Sequence, residues 1–263
     1  MYRYLLTLLV LTFAHSVLAQ EGKGYERVVL LAPAAGDIVI QLNAQDKVVG
    51  VTRSNHDFPN ALKIGSHIKP NVELLKGLEP DLLIISSNRF FSDHLASQID
   101  ADVIMYDPTD LDGVLEQIQD LGELLQRQKE ATKLIADLKR VRSQIKPLKQ
   151  TPSVIFEVTQ VPFIIAGKRS IVNGIITAAG GKLIAPEKRK IAKFNVESVL
   201  FQNPDYYIYQ VGPMNQRPTP PAERPNYTVM DSEVIKVDQL DFSRATTKSF
   251  YQALALNQRF QQQ

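Results

Sequence analysis

The sequence contains no cysteine and no tryptophan. The lack of cysteine excludes disulfides, thiolate metal sites and a cysteine nucleophile. The lack of tryptophan means that any aromatic surface for a ligand must be built from tyrosine or phenylalanine. A large net charge is also missing. The net charge of +2 over 263 residues gives no electrostatic support for a nucleic-acid or membrane-surface role. The composition, 44% hydrophobic, is that of a globular protein with one large domain or two smaller ones.

The chain begins with a segment that has the features of a targeting signal, MYRYLLTLLVLTFAHSVLAQ. A positive charge precedes a short apolar run over residues 5–13, and Val17 and Ala19 take the −3 and −1 positions of a cleavage site. The run is shorter than the roughly 20 apolar residues of a membrane span. We predict a secretory signal peptide over residues 1–19, which leaves a mature chain that is soluble outside the cytoplasm. It cannot be a lipoprotein, because no cysteine follows the cleavage site.

Short buried strands alternate with helical stretches in two parts of the chain. The first part contains the strand patterns RVVLLAP, KVVGVT, LLIISS and DVIMYD, and the second contains SVIFEVT, YYIYQV and VIKVD. This alternation predicts parallel sheets covered by helices. Between the two parts, apolar residues recur at three- and four-residue steps without a proline, which predicts one long helix. We therefore predict an α/β fold with an N-terminal lobe over 20–110, a linking helix over 111–146 and a C-terminal lobe over 147–263.

One element is written twice. NVELLKGLEPDLLI begins at Asn71 and NVESVLFQNPDYYI begins at Asn195, an offset of 124 residues (195 − 71). Asparagine is a good N-cap, and the glutamates Glu73 and Glu197 fall in the first helical turn, where they complement the helix dipole. Helix signals of this kind explain each copy separately. The shared order and spacing indicate that each lobe carries the same helix-to-strand element.

Four segments together resemble the helical-backbone class of periplasmic substrate-binding proteins: RVVLLAPAAGDIVIQLNAQDKVVGVT, PNVELLKGLEPDLLI, GKRSIVNGIITAAGGK and VDQLDFSR. That class serves ABC importers for iron-siderophores, haem and vitamin B12. The resemblance implies two Rossmann-like α/β lobes joined by one long helix, with the ligand in the cleft between them. It also implies a monomer whose Glu73 and Glu197 dock on arginines of a dimeric membrane permease, since two separated carboxylates fix both position and orientation.

The ligand cleft of such a fold is formed by loops at strand ends, and these loops carry cations and aromatic side chains. The candidate ligand-binding residues are Arg53, His56, His67, Arg89 and Phe90 in the first lobe, and Phe163, Lys168, Tyr209 and Arg217 in the second. This mixture suits a bulky ligand that is partly anionic and partly apolar. An iron complex, siderophore or haem, is the first interpretation, and cobalamin is the alternative.

The histidines argue against a bare metal site. Outside the signal peptide there are His56, His67 and His94, which lack the close spacing of zinc or manganese ligands. In the haem-binding branch of the family a tyrosine ligand often follows the glycine that corresponds to Gly65. Here Ser66 takes that place, which weakens the case for a tyrosine-ligated haem, and His67 beside it would supply an axial nitrogen instead.

Motifs for catalysis are absent from the sequence. There is no Gly-x-Ser-x-Gly, no His-Glu-x-x-His and no glycine-rich phosphate loop. We therefore expect a binding protein without a cofactor of its own, not an enzyme. A third class of function is a periplasmic partner of a sensor or of an outer-membrane receptor. Such a protein would keep the fold of the binding proteins and lose the contacts to a permease.

Overall fold

The computed structural model describes residues 24–89, 91–186, 188–225 and 227–262. The predicted signal peptide and Phe90 lie outside the described residues. Among the described residues, no helix combines the length and the apolarity that a membrane crossing needs.

The first lobe is a parallel five-stranded sheet flanked by short helices. The strands are β1 (Val28–Leu30), β2 (Val48–Val51), β3 (Leu62–Lys63), β4 (Leu82–Ile85) and β5 (Asp102–Met105), in the order β3-β2-β1-β4-β5. The helices are α1 (Ala35–Gln41), α2 (Val72–Gly77) and α3 (Asp93–Ala96). The strand order reverses at β1, so the loop after β1 lies at the switch point where open α/β sheets bind ligands. All four strands predicted in this lobe are confirmed, and β3 is added at the edge.

The predicted single helix over 111–146 is wrong in its extent. Two helices occupy the segment, α4 (Leu111–Leu124) and α5 (Gln128–Arg142), and the turn between them contains Gln126 with a φ of 57°. Arg142, at the end of α5, is paired with Asp112 at the start of α4, so the helices form an antiparallel hairpin. The link between the lobes is therefore α5 alone, which packs against α4 and also against the last helix of the chain.

The second lobe is built on a mixed sheet. Its strands are β6 (Ser153–Thr159), β7 (Ile164–Ala166), β8 (Lys182–Leu183), β9 (Ile191–Lys193), β10 (Tyr206–Val211) and β11 (Glu233–Asp238). Its helices are α6 (Ile171–Ala178), α7 (Val196–Gln202), α8 (Gln239–Phe242) and α9 (Lys248–Phe260). The order is β11-β10-β6-β7-β9, with β8 also paired to β6, and β7 runs antiparallel to β6 and β9. β7 lies between Phe163 and Lys168, in a segment predicted as a loop, and β9 has no counterpart among the predicted strands.

The repeated element has the same structure in both lobes. The side chain of Asn71 accepts a hydrogen bond from the N–H of Leu74 (3.1 Å), and that of Asn195 accepts one from Glu197 (2.8 Å). After each helix comes a residue with positive φ, Glu79 at 44° and Asn203 at 40°. A proline and an aspartate follow in both copies.

The two aspartates of the repeat fasten neighbouring strands. Asp81 precedes β4 and accepts a hydrogen bond from the N–H of Arg27, next to β1 (2.9 Å). Asp205 precedes β10 and accepts one from the N–H of Ser153 at the start of β6 (2.6 Å). Each aspartate thus ties its strand to the central strand beside it. Most of the repeat is explained by this shared structural role.

One apolar core continues from the first lobe into the second. It includes Leu30 of β1, Ile118 of α4, Phe156 of β6 and Phe250 of α9, all of which are buried. Burial of such side chains contributes about 1.5–3 kcal/mol each. The lobes are therefore joined by packing as well as by the covalent link through α5.

Candidate ligand-binding cleft

A cavity of about 470 Å³ lies between the two lobes. Its polar and charged lining consists of Ser54, His67, Ser86, Tyr106, Asp107, Arg169, Ser170, Lys190, Gln210, Gln239, Ser243 and Arg244. Its apolar lining comes from Ala32, Pro33, Ala34, Pro108, Val158, Ala166, Ile171, Val172, Ile191, Pro213, Met214, Leu240 and Ala245. Apolar surface with a limited number of convergent polar groups is typical of small-molecule sites.

Strand ends and helix starts build this cavity. Residues 32–34 join β1 to α1, and Ser170 is the N-cap of α6, where its hydroxyl accepts a hydrogen bond from the N–H of Asn173 (3.4 Å). Both helices begin at the cavity wall. The N-terminal end of a helix carries a partial positive charge, so both helices favour an anion in the cavity.

Positive charge dominates the side chains of the cavity wall. The basic side chains are Arg169, Lys190 and Arg244, and Asp107 is the one carboxylate among the lining residues. Lys190, before β9 in the second lobe, forms an ion pair with Asp107, after β5 in the first lobe. This pair neutralises one cation and connects the lobes at the cavity wall. Arg169 and Arg244 remain as the excess positive charge.

His67 and Arg244 approach the cavity from opposite lobes. Burial lowers the pKa of His67, and the positive charge of Arg244 lowers it further. Burial also lowers the pKa of Arg244, against the opposing effect of Asp57 and Asp238. The imidazole is therefore held toward its neutral form, in which a ring nitrogen can bind a metal.

Internal hydrogen bonds hold several polar groups of the wall in place. The Gln210 amide donates to the carbonyl of Val158 (2.9 Å) and accepts from the Ser243 hydroxyl (2.5 Å). The hydroxyl of Tyr106, a first-lobe residue, donates to the carbonyl of Ala245 in the second lobe (2.7 Å). Burial raises the pKa of Tyr106, so this hydroxyl stays a neutral donor. The wall is thus fixed across the lobe boundary before a ligand enters.

Of the candidate ligand-binding residues, His67 lines the cavity. Outside its wall lie Arg53, His56, Arg89 and Arg217, which are exposed, Phe163 and Lys168, which are half-buried, and Tyr209, which is buried. Tyr209 packs with Ile155 and Tyr207 on the face of the second sheet opposite the cavity. Phe90 lies outside the described residues. The roles assigned to these residues outside the wall stay predictions.

Sequence reasoning missed the three cations that do line the cavity. Arg169 directly follows the predicted Lys168, so the prediction reached the loop that carries this cation. Arg244 ends the segment VDQLDFSR, which carried part of the family resemblance. Lys190 precedes β9, which has no counterpart among the predicted strands. Cations next to strand ends are a signal that could have found Lys190, whereas Arg244 follows the short helix α8 and has no such signal.

The two glutamates of the repeat are solvent-exposed. The Glu73 side chain is 84% exposed, with Lys76 of the same helix 3.7 Å away. Glu197 takes the equivalent position on α7 and is also exposed. No ion pair of Glu197 is present among the described residues. Both carboxylates are therefore accessible to a partner.

Comparison with known proteins identifies the fold. Residues 28–258 match the family model described as periplasmic binding protein. No curated protein matches the chain in a sequence comparison.

Solved structures match over most of their length. IsdE of Staphylococcus aureus, complexed with haem, has a TM-score of 0.75 at 21% identity, with 90% of this chain and 99% of that chain covered. The vitamin B12-binding protein BtuF of Vibrio cholerae has a TM-score of 0.76 at 19% identity, with 91% and 99% covered. A periplasmic haem-binding protein of Pseudomonas aeruginosa has a TM-score of 0.70 at 17% identity, with 90% and 93% covered. At these identities the similarity shows the shared two-lobed α/β fold.

Proposed function

The chain belongs to the periplasmic binding protein family, and on this premise we propose that it captures an anionic iron complex, a siderophore or haem, and delivers it to the permease of an ABC importer. The observation that supports this ligand class is the cationic wall of the cavity between the lobes. Arg169 and Arg244 lie in that wall, and its one carboxylate, Asp107, is already paired with Lys190. An arginine guanidinium binds carboxylate or hydroxamate oxygens through two parallel hydrogen bonds.

Cobalamin is the alternative ligand. The apolar part of the wall, from Val158, Ile171 and Met214 among others, would suit a corrinoid. Cobalamin lacks the concentrated negative charge that would explain Arg169 and Arg244, neither of which forms an ion pair with another described residue. The anionic iron complex is therefore the proposal that uses the whole wall.

Within this proposal, haem gives His67 a role. Its imidazole lies in the cavity wall, and burial lowers its pKa, which favours the neutral ring that an axial position on iron requires. A siderophore, whose iron is already fully chelated, would use His67 as a hydrogen-bond donor.

The cellular setting follows from the same proposal. The N-terminal signal is removed on export, and the mature protein acts as a soluble monomer in the periplasm, without enzymatic activity. Glu73 and Glu197, exposed at equivalent positions of α2 and α7, dock on cationic residues of the two permease subunits. Two like charges held at a fixed separation define both position and orientation on such a partner.

A titration of the purified mature protein tests the ligand class. Because the chain has no tryptophan, its tyrosine fluorescence reports binding, and ferric hydroxamate, ferric catecholate, haemin and cobalamin are compared. We expect an iron complex to bind more tightly than cobalamin. Arg169→Ala and Arg244→Ala should each weaken binding about tenfold or more, since a charge-assisted hydrogen bond contributes about 1.5–3 kcal/mol. Added salt should also weaken binding of the iron complex to the wild-type protein, because salt screens partly exposed charges.

Arg53→Ala and Arg89→Ala are the matched comparison. The sequence predicts them as ligand contacts, and neither is among the residues that line the cavity. We expect these two variants to bind as the wild type does. Tight, salt-insensitive cobalamin binding that is unchanged in the Arg169 and Arg244 variants would show that the ligand class is wrong.

A further inference from the structure

The helix α7 presents an exposed aromatic side chain beside Glu197. Phe201 is 91% exposed, the highest value among the large apolar side chains of the described residues. It lies four residues after Glu197, and residues four apart share one face of a helix. Val199, between them in sequence, is buried with 1% exposure. Glu197 and Phe201 therefore define the face of α7 directed away from the lobe.

The equivalent helix of the first lobe lacks this aromatic. At the offset of 124 residues, Gly77 corresponds to Phe201 and Glu73 to Glu197. Leu75, the counterpart of Val199, is fully buried, so Glu73 and Gly77 define the outer face of α2 in the same way. A Cβ at Gly77 would meet no other atom within 4 Å, so the first lobe has room for a side chain there and does not carry one.

We propose that Phe201 is a one-sided apolar anchor of the surface that docks on the membrane permease. This inference rests on the proposed docking function of Glu73 and Glu197. On α7, the Phe201 side chain lies on the same face as Glu197. The partner it fits is an apolar pocket beside a cationic group that receives Glu197. Buried aromatic side chains close to a charged contact dominate the affinity of many protein interfaces. The paired glutamates place the protein, and Phe201 makes the contact of the second lobe the stronger one.

A direct docking measurement tests this inference independently of the transported ligand. Mature protein with a fluorescent label at its N-terminus is titrated onto spheroplasts of the cells that encode this chain. Phe201→Ser should raise the half-saturating concentration about tenfold, equivalent to about 1.4 kcal/mol. Tyr251→Ser is the matched control, because Tyr251 is a 54% exposed aromatic of α9 outside the proposed surface, and it should bind as the wild type does.

Two further variants separate the possible failures. If Glu73→Ala with Glu197→Ala abolishes docking and Phe201→Ser does not weaken it, Phe201 is no anchor and the docking function stands. If the double glutamate variant docks normally, the proposed docking function itself is wrong. Gly77→Phe in the Phe201→Ser background moves the aromatic to the other lobe. We expect no recovery, and full recovery would overturn the one-sided anchor, since apolarity on either lobe would then suffice.

Discussion

At the level of single residues, a buried ion pair fastens the proline-rich segment GPMNQRPTPPAERP, residues 212–225 of the second lobe. Arg224 is 5% exposed and Glu157 is fully buried. The guanidinium donates to both carboxylate oxygens, at 2.5 and 2.9 Å, and the Tyr207 hydroxyl donates to the same carboxylate at 2.5 Å. The Arg224 Nε also donates to the carbonyl of Thr219 (2.7 Å), so the side chain holds its own loop to the sheet.

Removal of one partner of this pair should destabilise the protein strongly. Arg224→Met leaves the Glu157 carboxylate buried without its cation, and the expected loss is about 3–5 kcal/mol in the free energy of unfolding. Urea denaturation of the purified protein measures it. The control is the double variant Glu157→Gln with Arg224→Met, which should recover much of the loss because no charge is then buried. A single variant as stable as the wild type would contradict the assigned role.

The alternation of side chains along a strand explains why the sequence predicted the loops around the cavity better than it predicted the residues that line it. Successive side chains of a strand point to opposite faces, so on β10 Gln210 lines the cavity while Tyr209 enters the core on the other face. Which face meets the cleft depends on tertiary packing, and an apolar strand such as YYIYQV contains no signal for it. The loops were therefore predictable, and the choice of residue within them was not.

At the level of elements, the repeat combines residues that make structural hydrogen bonds with two glutamates whose contribution to the fold is a negative charge in the first helical turn. The asparagine caps, the prolines and the aspartates Asp81 and Asp205 each serve the fold, and they would be expected in both lobes without any partner. Within the described part of the chain, the exposed side chains of Glu73 and Glu197 cap no helix and tie no strands, and Glu73 has only Lys76 of its own helix as an ion-pair partner. This contrast is the structural reason to propose a docking role for the two glutamates.

The α4–α5 hairpin was not predictable from helix signals. Its turn has no proline, and the left-handed position is taken by Gln126 where glycine is common. Gly122 lies in the last turn of α4, close to this turn. In the structure its missing side chain lets α5 approach, since a Cβ there would clash with the Cβ of Ala131.

Gly122→Leu should therefore force the two helices apart. We expect the free energy of unfolding to fall by about 1–3 kcal/mol, the usual cost of inserting extra carbon atoms into a packed interface. Chemical denaturation measures it. Gly77→Ala provides the control, because a Cβ at Gly77 enters open space and should leave stability unchanged or slightly higher. Equal stability of Gly122→Leu and the wild type would show that the helices do not depend on this close approach.

For the whole molecule, the two-lobed α/β architecture was predictable because every level of the sequence agreed. Alternating strands and helices, the internal repeat and the family resemblance all indicated two lobes with a cleft between them. No pattern in the sequence predicts the continuous core across the lobes. That core depends on residues such as Ile118 and Phe250, which come from distant parts of the chain.

That continuous core leads to a prediction about motion. Besides the shared core, Tyr106 donates a hydrogen bond to Ala245 across the lobe boundary (2.7 Å), and the Asp37 carboxylate accepts two from Thr247 (2.8 Å each). At Gly174 of α6, a Cβ would lie only 2.5 Å from the Thr109 carbonyl oxygen of the first lobe. Opening the lobes as rigid bodies would break these contacts together.

We therefore expect the lobes to move little when the ligand binds. The backbone shift should be about 1 Å or less, as in preorganised complexes, and the radius of gyration from small-angle X-ray scattering should be the same with and without bound ligand. The expectation does not depend on a single rigid helix, because the packed boundary restrains the lobes even though α5 alone links them.

Tyr106→Phe with Thr247→Val removes cross-boundary hydrogen bonds and is the variant in which the radius of gyration should differ more between the free and the ligand-bound protein. A clear decrease in the radius of gyration of the wild-type protein on binding would mean that hinge closure overcomes the shared core.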